Sequence, residues 1–312
     1  MPMSAALPSV ATPRASLLAI GALTFNALVW GTAWWPLRQF EAIGLHPLWT
    51  TLIVYLLAVA VIVVARPQAV GQVLRTPTLW VLMLAAGTTN AAFNWGVVIG
   101  DVVRVVLLFY LMPLWAVLLA RWLLHEPLTR HAGMRVVLAL VGAAIVLWPQ
   151  DTLGAAGWEH LPIPRSLPDW LGVIGGFSFA LNNVMLRREA HRPEEGRALA
   201  MFVGGGLVSG VLATLLAWSG QAPWPPAPAW GWVAGAGVLA LIYLAGNLAL
   251  QYGAARLPAN VTAVVMLTEV LFASVSAWLL GGGTLSATLL LGGGLILAAA
   301  LLSAFEPGPG AH

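Results

Sequence analysis

The chain has 312 residues, 60% hydrophobic and only 8% charged, with a mean hydropathy of +0.88. A water-soluble fold could not cover itself with so little polar surface, so the solvent for most of this chain is lipid. The net charge is +3, and all 14 basic residues are arginines that form no contiguous patch of the kind nucleic acid requires; the absence of cysteine excludes disulfides, thiolate metal sites and thiol catalysis.

A hydrocarbon core of about 30 Å is crossed by about 20 apolar helical residues. Runs of that kind fall at 15–37, 47–65, 78–99, 102–124, 131–148, 168–187, 197–218, 230–252, 259–280 and 284–304, which predicts ten spans. The first run is too long for a cleaved leader and carries Trp30, Trp34 and Trp35 where a cleavage site needs small residues, so it is expected to stay as a span. Breakers punctuate the ends: Arg66-Pro67 after the second run, Pro149 after the fifth, and Pro223 to Pro228 before the eighth.

Orientation follows from arginine, because positive residues stay on the cytoplasmic side of short loops. With the N-terminus inside, the inner segments hold 11 arginines and the outer ones only Arg38, Arg104 and Arg165. The expected order is a cytoplasmic tail (1–14), five spans (15–148), an external linker (149–167), five further spans (168–304) and a second cytoplasmic tail (305–312).

The two sets of five are similar. A shift of 157 residues lays Asn90-Ala-Ala-Phe-Asn94-Trp95-Gly96 on Asn247-Leu-Ala-Leu-Gln251-Tyr252-Gly253, and Leu128-Thr129 on Leu285-Ser286; a shift of 149 lays Leu37-Arg38 on Leu186-Arg187. Since five is odd, the second copy enters the membrane upside down. The fold class expected is therefore an all-α integral membrane protein of two inverted five-helix repeats, with both termini cytoplasmic and a mid-depth site that can open to either side.

Polar side chains at bilayer depth are costly and face the bundle interior, which makes their helical phase informative. Asn26, Trp30 and Trp34 share one face of the first span, Asn90 and Asn94 one face of the third, and Tyr243, Asn247 and Gln251 one face of the eighth. These residues, with Tyr110, are the candidate substrate-binding set. Two readings stand open for the amides: they line a pathway, or they bridge packed helices at about 0.6–2 kcal/mol each. Asn182 and Asn183 lie nearer the inner end of the sixth span and say less.

Glu269 is the one acid expected well inside a span, where charge is expensive. It is a candidate proton carrier or ammonium site, or else the donor of a structural hydrogen bond. Pro113 lacks an N–H and is the candidate hinge of the fourth span. Arg38 and Arg104 are positioned to attract a carboxylate or to pair locally, with Asp101 as a nearby partner for Arg104.

The segment Leu111-Met-Pro113-Leu-Trp-Ala-Val-Leu-Leu-Ala-Arg-Trp-Leu-Leu-His-Glu126-Pro-Leu-Thr129 resembles the "P…a…l…gE.lt" stretch of the drug/metabolite transporter superfamily, in its ten-helix EamA-type members. Glu269 to Ser286 resembles the second-repeat counterpart, with Val270 after the glutamate and Gly282-Gly283 where a second Gly-Glu is usual; Trp30-Gly31-Thr32 resembles the Trp-Gly-Ser/Thr element of the first helix. The resemblance spans about 15–304 and implies an exporter of amino acids, aromatic or aliphatic, in a bacterial inner (plasma) membrane, most similar to the aromatic amino acid exporter group.

Other classes fare poorly. Gly204–Gly206 and Gly281–Gly283 lack the lysine of a phosphate loop, so no nucleotide partner is expected, and six histidines show no metal-ligand spacing. No nucleophile–base pair is legible, so an enzyme, a cofactor or a resident metal is not expected. The expected partners are a small-molecule substrate and membrane lipid, with monomer and homodimer both open. The alternative function is a lipid-handling or lipid-modifying intramembrane protein.

Overall fold

The computed structural model describes residues 13–123, 130–147, 163–189, 191–254, 256, 265–283 and 286–304, and all regular structure within them is α-helical. In chain order the helices are α1 (Pro13–Thr32), α2 (Trp34–Ala42), α3 (Pro47–Ala65), α4 (Gln68–Leu74), α5 (Pro77–Ile99), α6 (Val102–Phe109), α7 (Met112–Leu123), α8 (Arg130–Leu147), α9 (Leu167–Arg188), α10 (Glu194–Trp218), α11 (Trp230–Ala254), α12 (Thr268–Leu280) and α13 (Ala287–Ala304). Residues 1–12 of the expected N-terminal tail, the expected C-terminal tail and most of the linker expected at 149–167 lie outside the described residues, while Pro13 and Arg14 begin α1.

Among the described residues six stretches are long and apolar enough to cross a bilayer: Leu17–Ala42, Pro47–Ala65, Pro77–Ile99, Val102–Leu123, Glu194–Trp218 and Trp230–Leu250. The other four expected spans overlap α8, α9, α12 and α13, with residues 259–264 of the ninth lying outside the described residues. Three of these carry shorter apolar cores, Val136–Val146, Thr268–Leu280 and Ala287–Ala299, while α9 is the most polar, with Asp169, Asn182, Asn183, Arg187 and Arg188 along it. Large aliphatic side chains such as Leu56, Val64, Leu241 and Leu290 stand exposed on the outside of the bundle, as lipid contact requires.

Two expected spans are each broken into two helices. In the first, Pro36 has no N–H to return to the Thr32 carbonyl, and α1 ends at Thr32; the Ala33 N–H turns instead to Trp30 O at 3.3 Å. In the fourth, Pro113 leaves the Phe109 carbonyl without a helical donor, and the chain bends through Tyr110 and Leu111. Gly176 of α9 packs directly on that Phe109 carbonyl, where any Cβ would collide. The second half repeats the second break without a proline: the chain turns at Leu267, which stands 157 positions after Tyr110.

The packing runs mainly between the two halves. α5 lies against α9 and α10, as α11 lies against α1 and α3; α3 packs on α10 and α8 on α13; α7 and α6 touch α9, as α12 touches α1. Exchanging corresponding helices of the halves leaves this pattern unchanged. Glycines permit the closest approaches: Gly142 and Gly292 each face the other's carbonyl, so that a Cβ on either would stand 2.6 Å from it, and Gly204 lies on the Met83 carbonyl. At one rim of the bundle His46 caps α3, its Nδ1 accepting the Leu48 N–H at 3.3 Å, and burial pushes its imidazole below the ordinary pKa, which keeps it a neutral acceptor.

Candidate functional site

Because the helices interlock by halves, the space between them is walled by both. A chamber of about 800 Å3, counting the part open at its mouth, lies at the middle of the bundle. From the first half, Asn26 and Trp30 stand one turn apart on α1, Tyr55 projects from α3, and Ala86, Thr89, Asn90 and Phe93 present one face of α5. From the second half come Phe179 and Asn182 of α9, Met201 and Phe202 of α10, and Asn247 and Leu250 of α11. The two broken helices close it: Phe109 precedes one break, and Met266 and Glu269 flank the other.

Most of the wall is aromatic or aliphatic, so its few polar atoms decide what it can hold. The Tyr55 hydroxyl donates a short hydrogen bond to Asn90 Oδ1, and Asn90 Nδ2 donates to Ala86 O at 2.8 Å. Thr89 spends its hydroxyl on Ala85 O at 2.8 Å. Asn26 Nδ2 meets the Met266 sulfur at 3.5 Å, which leaves Asn26 Oδ1 buried and unpartnered; Asn182 Oδ1 is in the same condition. Glu269 lies in the first turn of α12, where the helix N-terminus favours negative charge, and the Tyr110 hydroxyl stands 3.3 Å from its Oε2 and 3.4 Å from Met266 O. The two broken helices thus touch each other beside the chamber.

One end of the bundle, formed by α2, the α5–α6 turn and the α12–α13 turn, is tied shut. Arg38 donates to Val98 O at 3.0 Å, Val97 O at 3.2 Å and Gly100 O at 2.6 Å, and reaches Gly282 O at 3.4 Å, with its guanidinium 4.9 Å from the Trp34 ring centre. Trp34 Nε1 donates to Ser276 Oγ at 3.0 Å, and the Val102 N–H donates to Gly282 O at 3.1 Å. Gly282 is pressed against the Trp34 ring, leaving no room for a side chain. Nearby, Arg104 forks onto Asp169 at 2.7 and 3.1 Å and also donates to Val146 O at 2.7 Å.

Of the residues expected from the sequence, Asn26, Trp30, Asn90, Asn247 and Glu269 come together around one space. Four residues expected there stand elsewhere. Trp34 belongs to the closed end, because the break at Ala33 starts a new helix and ends the stripe begun by Asn26 and Trp30. Asn94 is fully buried and donates to Thr51 Oγ1 at 3.0 Å, which binds α5 to α3. Tyr110 acts from behind Glu269, and Tyr243 backs the wall, stacked on Trp30 at 4.9 Å between ring centres. The side chains of Gln251 and Pro113 lie outside the described residues.

Of the two readings open for Arg38 and Arg104, this structure shows local pairing, and for Arg104 the partner differs from the one expected. Arg104 takes its carboxylate from Asp169 of the other half, while Asp101 Oδ1 accepts the Arg104 backbone N–H at 2.9 Å and caps α6. Arg38 donates to protein carbonyls, lies over the Trp34 ring and has the Asp101 and Glu41 carboxylates near it, which ties it to the protein itself. Tyr55 and Asn182 join the chamber although sequence reasoning does not place them there. Tyr55 is the one phenol in an otherwise aliphatic run, which is a signal; Asn182 carries one too, and its position near a span end conceals it.

The comparisons with known proteins agree with this architecture. Residues 17–148 and 166–305 match the EamA-like transporter family. A solved structure, described only as a crystal structure of a protein, shares the fold with a TM-score of 0.54 at 19% identity, over 94% of this chain and 97% of that one. No curated protein matches the chain.

Proposed function

Since the chain belongs to the EamA-like transporter family, whose members are membrane transporters of small molecules, we propose that it is a secondary exporter of small amphipathic metabolites, working by alternating access between two inverted repeats of five spans each. The observation that carries this reading is the chamber itself, walled by residues of both halves and shut at the Arg38 end. A carrier needs a site that each half can uncover by tilting on the other, and a packing pattern that exchanges between halves supplies two equivalent tilts. In this conformer the Arg38 cluster is the closed gate. Opening that end exchanges a set of local hydrogen bonds for a matching set at the opposite end.

Aromatic and aliphatic bodies suit the Trp30, Phe93, Phe109, Phe179 and Phe202 surfaces, so amino acids and their relatives form the first substrate panel. The four lining amides favour a water-soluble cargo over a lipid chain, for which an apolar groove open to the bilayer is the better fit. The decisive experiment is efflux from proteoliposomes holding the purified full chain and loaded with labelled amino acids, amines and related metabolites, at two pH gradients. Efflux of at least one class above protein-free vesicles is expected. Failure across the whole panel sinks the carrier reading.

A further inference from the structure

We propose that the cargo's polar end is an organic cation that donates hydrogen bonds and carries no carboxylate: an alkyl- or arylalkylammonium, or an amidinium, rather than a zwitterionic amino acid. The inference rests on the carrier reading above and narrows its substrate class.

Several donors of the chamber wall are engaged within the protein, while two acceptor atoms of lining residues are buried without a partner. Four of the wall's donors are already engaged within the protein: Tyr55 gives its proton to Asn90, Asn90 gives to Ala86 O, Thr89 gives to Ala85 O, and the Asn26 amide N–H faces the Met266 sulfur. Acceptors remain. Asn26, fully buried, and Asn182, 2% exposed, both line the chamber with Oδ1 atoms that have no partner. A buried polar atom without a partner is costly, so two of them in one wall point to a ligand that donates to both.

Charge points the same way. Among the described lining residues Glu269 is the single ionisable acid, and no arginine, lysine or histidine joins it. An ammonium entering this space finds a carboxylate, two free carbonyl oxygens and the faces of Trp30 and Phe109, all attractive to a cation. The carboxylate of an amino acid meets no basic side chain among the described lining residues and gives up its hydration with no cation in return. Arg38 and Arg104, which the sequence offers as partners for a carboxylate, are engaged at the closed end with carbonyls and Asp169.

The test holds the body constant and varies the polar end. Proteoliposomes with the full chain are assayed for efflux of 2-phenylethylammonium, phenylalanine, 3-phenylpropanoate and 2-phenylethanol, with parallel indole and isobutyl series. In whichever series is carried, the amine is expected to exceed the amino acid by about tenfold or more, with the carboxylate and the alcohol near background. Glu269→Gln is expected to remove that preference. Asn182→Leu, which leaves the carboxylate in place, is expected to weaken amine transport by about fivefold and provides the second readout should Glu269→Gln fail to accumulate. Equal or better transport of the amino acid overturns the inference and leaves the carrier intact; transport of nothing in any series removes both.

Discussion

The closed end of the bundle and the chamber treat polar groups in opposite ways, although both are built from the meeting of the two halves. At the closed end a single guanidinium is spent on carbonyls of both halves, and Arg104 and Asp169 satisfy each other across them. In the chamber, Thr89 and Asn90 donate back to their own helix, and the Oδ1 atoms of Asn26 and Asn182 are left over. The lesson lies in where charge is placed: at the joint the arginines meet carbonyls and a carboxylate of the protein itself, while the chamber wall holds one acid with no basic side chain beside it among the described lining residues.

The sharpest way to break this contrast is Glu269→Gln. Losing one partner of a buried charge pair costs about 2 kcal/mol or more, so transport of a cationic cargo should fall about 30-fold or further, while the purified protein keeps its melting temperature. Normal transport by this variant would make Glu269 a structural group. Next in size is Arg38→Ala at the joint. Hydrogen bonds from a charged donor contribute about 1.5–3 kcal/mol, so a membrane-impermeant thiol reagent should modify a cysteine placed at Ser276 about tenfold faster in this variant. The chain has no cysteine of its own to confuse the measurement. An unchanged rate would show that Arg38 does not hold the end shut.

Gly204→Val tests the packing common to both regions. With the Met83 carbonyl against Gly204 there is no space for a side chain, and overpacking should cost about 1–3 kcal/mol, seen as a lower melting temperature in detergent. An unaltered melt would mean that α5 and α10 can separate freely. The smallest effect is expected for Asn94→Leu, which breaks the bond to Thr51 away from the chamber. Stability should drop by about 0.6–1.7 kcal/mol, with transport within about twofold of the parent. A large transport defect without loss of stability would return Asn94 to the pathway.

Much of the frame is legible in the sequence because hydropathy and the 157-residue shift are properties of whole segments. The shift also pairs Asn90 with Asn247, and both line the chamber. Helical phase is less legible, because it is reset wherever a helix breaks. Trp34 follows Trp30 by four residues and would share its face on a straight helix, but Ala33 intervenes and turns it to Ser276. The break at Leu267 has no proline to announce it and comes from the duplicated geometry alone. Nor does spacing separate Asn90 from Asn94, since one turn apart on α5 is enough for one to meet the cavity and the other Thr51.

The exchange of contacts between halves also bears on how the protein is made. While the ribosome has delivered only the first five segments, the glycine faces of Gly87 and Gly142 have nothing to seat against, since their partners, Gly204 and Gly292, are still to be synthesised. The expectation is that the first half alone packs incompletely and that the closest helix contacts form once the second set arrives. Two polypeptides cut between residues 148 and 166 should each insert, be degraded when produced alone, and reconstitute transport when produced in the same cell.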